Sequence, residues 1–223
     1  METNKSALIV GATGLIGGQL LRILKHHPYY QKIYVLTRRT LDIKNERVDE
    51  LVVDFDKLSI DELPQVDDIY CCLGTTMKKA GSKEAFRKVD YHYPLKIASL
   101  GIEKGAKQFM LVSSMGADKN SRFFYNQVKG EVEESLGSLD YQALHIFRPS
   151  ILLGERNENR TGEQIGQVVM KTLSPLLLGG LKNYRPIKGK RVAQAMFIAA
   201  KQNLQSAHLF ESEKIKVLAK SEL

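Results

Sequence analysis

"SALIVGATGLIGGQLLRIL", residues 6–24, starts as a near-continuous apolar run, passes three glycines, Gly11, Gly14 and Gly17, and continues with apolar residues at helical spacing. The stretch reads as a strand, a tight turn and a helix, in that order. Glycines at such a turn let the backbone approach a ligand closely. The helix that follows presents unpaired N–H groups and a partial positive charge, which suits a pyrophosphate. A glycine trio alone carries little; its place at the first strand-to-helix turn carries the reading.

Further along, short β-rich runs ("KIYVLT", "DELVVDF", "VDDIYCCL", "KQFMLVSS", "YQALHIF") alternate with amphipathic stretches over 83–104 and 124–136. That rhythm predicts an α/β fold, doubly wound, with parallel strands joined by crossovers and covered on both faces. Beyond Pro149 the rhythm weakens. Helices are expected around 163–173 and 191–201, with a short run "AHLFE" after them. We expect one dinucleotide-binding domain over 1–223, with 150–223 contributing a small lid on the substrate side.

The chain has 223 residues, 43% of them hydrophobic, and a formal charge of +8. No stretch is long and apolar enough for a membrane span, and the polar start lacks the pattern of a signal peptide. The expectation is a cytoplasmic protein. Cys71 and Cys72 are adjacent, a spacing that suits buried free thiols better than a disulfide or a zinc site, and the histidines are scattered, so no metal is expected. The positive charge is spread along the chain without a nucleic-acid-reading module, which predicts only weak, sequence-independent binding of nucleic acid.

In chains that bind NAD, an acidic residue about 20 positions beyond the loop accepts the adenosine ribose 2′-hydroxyl. Here "YVLTRRT" offers Arg38 and Arg39 instead. A guanidinium suits a 2′-phosphate, so NADP(H) is expected over NAD(H), with one of the pair making the contact and its neighbour solvated. Asp54 either accepts a hydrogen bond from adenine or ends a strand with a turn. "CCLGTT" puts Gly74 where backbone can pass close to a cofactor.

"SSMGADKNSRFFYNQVKGE", residues 113–131, holds Tyr125 and Lys129 four apart. About one such pair is expected by chance in this chain, and a second one, Tyr184 and Lys188, has Pro186 inside it and cannot be helical. The first pair differs by position. It begins the helix after a strand that ends in Ser113-Ser114, at the carboxyl edge where parallel sheets bind ligands. Reduction of a carbonyl needs a proton donor at the developing alkoxide. Tyr125 can be that donor, Lys129 can favour its ionised form and hold the nicotinamide ribose, and Ser114 can polarise the carbonyl.

At these residues the chain resembles the atypical short-chain dehydrogenases/reductases with their "GATGxxG" loop. More closely it is similar to the Tat-interacting-protein type of NADP-binding oxidoreductases, through "VVDFDKL", "CLGTT", "AGSKEAFRKVD", "SSMGAD" and "YNQVKGEVE". The resemblance implies a Rossmann fold. It implies cofactor contacts at Gly11, Thr13, Gly14, Leu15, Ile16 and Gly17, at Arg38 and Asp54, at Leu73, Gly74 and Thr75, and at Tyr125 and Lys129. "FRPSILLGE" adds Arg148 and Pro149 near the nicotinamide end. Many superfamily members place an asparagine in the helix before the serine strand, where "RKVDYHYP" has Asp90. The leading expectation is an NADPH-dependent oxidoreductase acting on a small carbonyl or alcohol. The alternative is an NADP-binding regulatory or scaffold protein with a protein partner.

Overall fold

The computed structural model describes residues 5–154 and 183–221. β1 (Lys5–Val10) leads into α1 (Leu15–His26), followed by β2 (Tyr30–Thr37), β3 (Val48–Val52) and β4 (Asp68–Cys71). Two short helices, α2 (Met77–Ala80) and α3 (Lys83–Arg87), precede a wide π turn over Lys88–His92, α4 (Tyr93–Glu103) and β5 (Gln108–Val112). Then come α5 (Phe124–Gly137), β6 (Ala143–Arg148), the two-residue strands β7 (Leu152–Leu153) and β8 (Ile187–Lys188), α6 (Gly189–Gln202), β9 (Ser206–Glu211) and α7 (Ser212–Leu218). The expected helix over 163–173 lies outside the described residues.

Seven strands form one sheet in the order β3-β2-β1-β4-β5-β6-β9, and every neighbouring pair is parallel. This is the doubly wound Rossmann topology. Alternation within β1 shows why its sequence is apolar throughout: Ala7 and Ile9 pack towards α1 and α6, Leu8 and Val10 towards α4 and α5. A strand covered on both faces has no polar side to present. The strand order reverses between β1 and β4, so a crevice opens at their carboxyl ends, where ligands of such sheets bind.

The described part of the C-terminal tail belongs to the sheet layers. β9 extends the sheet beside β6, and α6 packs on α1. Tyr184 precedes Pro186 and the short β8, and is half exposed, so the second Tyr/Lys pair shares no helix face. Both cysteines are free thiols. Among the described residues no helix is long and apolar enough to cross a membrane.

The opposite, amino-terminal edge of the sheet buries a polar network. Tyr30 donates its hydroxyl hydrogen bond to Asp68 Oδ2, Gln108 Nε2 donates to Asp68 Oδ1 at 2.9 Å, and Gln108 Oε1 faces His145 Nε2 at 3.3 Å. The amide oxygen can only accept, so His145 carries its proton on Nε2, and its buried Nδ1 has no partner among the described residues. Burial, and then the stacked His208, push the His145 pKa down to about 4 from an ordinary 6.5. Between those values the unfolded chain takes up a proton that native His145 refuses. The stability this residue supports is therefore complete above pH 6.5 and lost as pH falls towards 4, by roughly 3 kcal/mol. Urea midpoints of the wild type and His145→Gln, compared at pH 7 and pH 4.5, should show a flatter acid limb in the variant; parallel limbs contradict the assignment.

Candidate functional site

The glycine loop is shaped by contacts that no side chain would tolerate. Gly11 has φ +83°, and a Cβ there would lie 2.6 Å from the Cys72 carbonyl oxygen. A Cβ on Gly17 would lie 2.2 Å from the Gly11 carbonyl oxygen, so a methyl group would force the turn open. Gly14 N–H donates to Gly11 O at 3.0 Å, closing the turn, and α1 begins at the next residue. Gly14 caps that helix without a side-chain hydrogen bond, and its first turn holds no acidic residue. The first-turn N–H groups and their positive dipole end thus stand at the crevice, and the turn itself carries no carboxylate to occupy them. Thr13 is exposed beside them, whereas Ile16 is buried and Leu15 packs towards Gly154 and Gly189. A dinucleotide's pyrophosphate fits this cradle: it is narrow, closely approached by backbone and electropositive.

Past the end of β2, Arg38 and Arg39 are exposed, and neither guanidinium has a carboxylate partner among the described residues. Thr37 Oγ donates to the Arg39 carbonyl at 2.9 Å and so shapes that turn. β3 ends at Val52, short of the apolar run read in the sequence, and Asp54 lies in the turn beyond it. Its Oδ1 accepts the Asp56 N–H at 3.0 Å and its carbonyl the Lys57 N–H at 3.0 Å, a strand-ending turn. After β4 the chain runs through Leu73, Gly74 and Thr75 directly across from the glycine loop, because Gly11 is pressed against Cys72 and Leu73.

Gly74 joins this crevice to α5. A methyl group there would sit 3.5 Å from Asp90 Oδ1 and 4.0 Å from Lys129 Nζ. Lys129 Nζ makes an ion pair with Asp90 Oδ1 at 2.8 Å, with both side chains almost wholly buried. Asp90 Oδ2 accepts the Thr75 N–H at 2.9 Å. Burial works against the Lys129 ammonium, but Asp90 and then the Tyr125 hydroxyl more than offset it and raise its pKa above the usual lysine value. One helical turn earlier Tyr125 is partly exposed, its ring 5.5 Å from that of Phe86. Ser114 follows β5, and its buried Oγ has no hydrogen-bond partner among the described residues.

The loop carrying Ser114 is held against α5 by a close backbone approach. At Gly130 a Cβ would lie 2.1 Å from Lys119 N, so only glycine lets residues 118–119 pass there. Beneath it, Ser113 Oγ donates to Glu133, and Arg148 Nε donates to Glu133 Oε1 at 3.0 Å. Arg148 thus spends its guanidinium on a buried carboxylate, while the Pro149 carbonyl accepts the Met115 N–H at 3.1 Å. Glu133 was not singled out from the sequence. Its signal was there all the same: Tyr125, Lys129 and Glu133 form one i, i+4, i+8 stripe.

A glycine turn where the strand order reverses between β1 and β4, with Ser114 and the Tyr125/Lys129 helix at the same edge of the sheet, defines a Rossmann fold with a candidate dinucleotide site. A family model described as "Semialdehyde dehydrogenase, NAD binding domain" matches residues 6–90. Among solved structures the fold is similar to a UDP-N-acetylglucosamine 4-epimerase from Methanobrevibacter ruminantium, with a TM-score of 0.70, 13% identity, and 94% of this chain and 77% of that one covered. It is likewise similar to the Bordetella bronchiseptica enzyme WbmH, solved in complex with NAD+, with a TM-score of 0.70, 13% identity and coverage of 97% and 79%. The sequence is 44% identical to rat HTATIP2 over 171 residues, 74% of this chain and 69% of that protein. It is 34% identical to FMP52, mitochondrial, of Eremothecium gossypii over 223 residues, 97% and 98% of the two chains. The chain belongs to the family of HTATIP2 and FMP52.

One expectation is corrected by these relatives. A cytoplasmic location was inferred from the polar N-terminus, yet the FMP52 relatives from Eremothecium gossypii, Candida albicans and Saccharomyces cerevisiae are all named as mitochondrial. The features weighed there are those of a secretory signal and a membrane span, and neither bears on mitochondrial targeting.

Proposed function

We propose that this chain is an NADPH-dependent oxidoreductase that moves a hydride between nicotinamide and the carbonyl or alcohol carbon of a small substrate. The observation that carries this reading is the buried Lys129 ammonium, one helical turn from the partly exposed Tyr125 and bordered by Gly74 at the crevice. When bound, the nicotinamide supplies or accepts the hydride. Ser114 Oγ, which has no hydrogen-bond partner to give up among the described residues, donates to the substrate oxygen. Tyr125 gives the oxygen its proton as the alkoxide develops, and the fixed charge of Lys129 eases that proton's departure. The α1 N-terminus takes the pyrophosphate, and Arg38, without a carboxylate partner among the described residues, takes a 2′-phosphate.

The test is consumption of NADPH across a panel of aldehydes and ketones. Turnover of at least one class is expected, with NADH much poorer. If every compound is inert while NADPH alters affinity for a protein partner, the chain is a cofactor-binding regulatory protein instead. The names of the FMP52 relatives support a mitochondrial setting for either role.

A further inference from the structure

We propose that Asp90 is the positioning residue of the Tyr125–Lys129 pair: its carboxylate holds the Lys129 ammonium in place as a charge facing Tyr125 and ties it to the turn at Thr75. The catalytic meaning of this role rests on the oxidoreductase reading, but the role itself is written in the ligand-free protein. The two carboxylate oxygens have different partners, Oδ1 the Lys129 ammonium at 2.8 Å and Oδ2 the Thr75 N–H at 2.9 Å. Asp90 therefore bridges the helix that carries the reacting side chains and the turn that borders the cofactor crevice.

The backbone delivers that carboxylate through a local irregularity. Pro94, four residues on, has no N–H to give the Asp90 carbonyl, so a regular α-helix cannot run through this point. The chain widens instead into the π turn of Lys88–His92, closed by the Tyr93 N–H on the Lys88 carbonyl, with Asp90 buried on its inner side. The same proline then sits in the first turn of α4.

Burial makes the carboxylate's charge necessary. An ammonium left unpaired in this interior would give up its proton, with a fall of up to about 3–5 units for a fully buried group. Among the described residues, the titratable groups that act on Lys129 are Asp90 from the π turn, Tyr125 from its own helix and Cys71 from β4. Burial pushes the Cys71 thiol up to about 11, so it is neutral at working pH. Asp90 is the carboxylate among them and the group that pairs with the ammonium. An asparagine in its place could still accept the Thr75 N–H through its amide oxygen but would offer Lys129 no charge. Asp90→Asn therefore separates the ion pair from the backbone hydrogen bond.

The experiment follows the Lys129 side chain by NMR in the full chain, with neither coenzyme nor substrate, as pH is raised from 5 to 10. Wild-type Lys129 is expected to remain an ammonium throughout, Asp90→Asn to bring its midpoint down by about two units or more, and Asp90→Glu to restore it. An unchanged Lys129 midpoint in Asp90→Asn overturns the proposal. If that variant fails to fold, the double variant Asp90→Asn/Lys129→Met should fold again, because no uncompensated ammonium is left. A double variant that still does not fold overturns the proposal too, because the loss then does not come from an unpaired Lys129 ammonium. Because no turnover is read, the two claims separate. A protein inert towards every carbonyl, with Lys129 titrating as expected, removes the oxidoreductase reading and leaves this one standing. An active protein whose Lys129 ignores Asp90 does the reverse.

Discussion

Tyr125→Phe should lower turnover of any accepted carbonyl by about 100- to 10,000-fold while leaving NADPH affinity nearly unchanged. The substitution deletes one oxygen atom. The ring keeps its contact with Phe86, and the hydroxyl has no hydrogen-bond partner among the described residues whose loss could unsettle the fold. On the proposed reading, what disappears is the proton donor at the developing alkoxide, so the loss should fall on kcat. Lys129→Met should behave differently, weakening coenzyme binding as well as turnover, because the ammonium lies beside Gly74 at the crevice and its proposed role is to ease proton transfer from Tyr125. Steady-state kinetics with a calorimetric titration of NADPH separate the two patterns. Wild-type turnover by Tyr125→Phe would remove the tyrosine from the reaction.

Arg38→Asp should reverse the coenzyme preference. A charge-assisted hydrogen bond from Arg38 to the 2′-phosphate is worth roughly 1.5–3 kcal/mol, so the wild type should favour NADPH over NADH by about ten- to a hundredfold. The aspartate removes the donor, repels the phosphate and offers an acceptor to a free 2′-hydroxyl. Arg39→Ala should matter less if Arg38 makes the main contact; a larger effect there means the neighbours exchange roles. Both side chains are exposed and neither is tied to a carboxylate among the described residues, so these changes should cost little stability. Equal affinity of the wild type for NADH and NADPH would take away the basis of the expectation.

The sheet was legible because its signals are local. β1, the glycine turn and α1 lie within a single run of residues, and the alternation of later runs gave parallel strands and crossovers. Long-range packing was not legible. The clash that makes Gly11 a glycine is with Cys72, and the clash at Gly130 is with a loop that folds back over α5. Nothing in the pattern of either segment names its partner. Asp90 was noticed in the sequence for standing where relatives of the superfamily have an asparagine, yet its aim at Lys129 depends on a π turn, and helical periodicity assumes the regular turn it replaces. The Asp68–Gln108–His145 network was missed for the opposite reason. Each of its members reads as an ordinary polar residue, and only the sheet register with α6 packed over it makes the group buried.

The most direct test of the account is a crystal structure of the protein grown with NADP+. The account predicts density for the pyrophosphate on the Gly11–Gly17 turn, the 2′-phosphate at Arg38 and the nicotinamide ring between Ser114 and Tyr125. A nicotinamide ring lying away from Tyr125, or a dinucleotide that leaves the glycine turn empty, would contradict it.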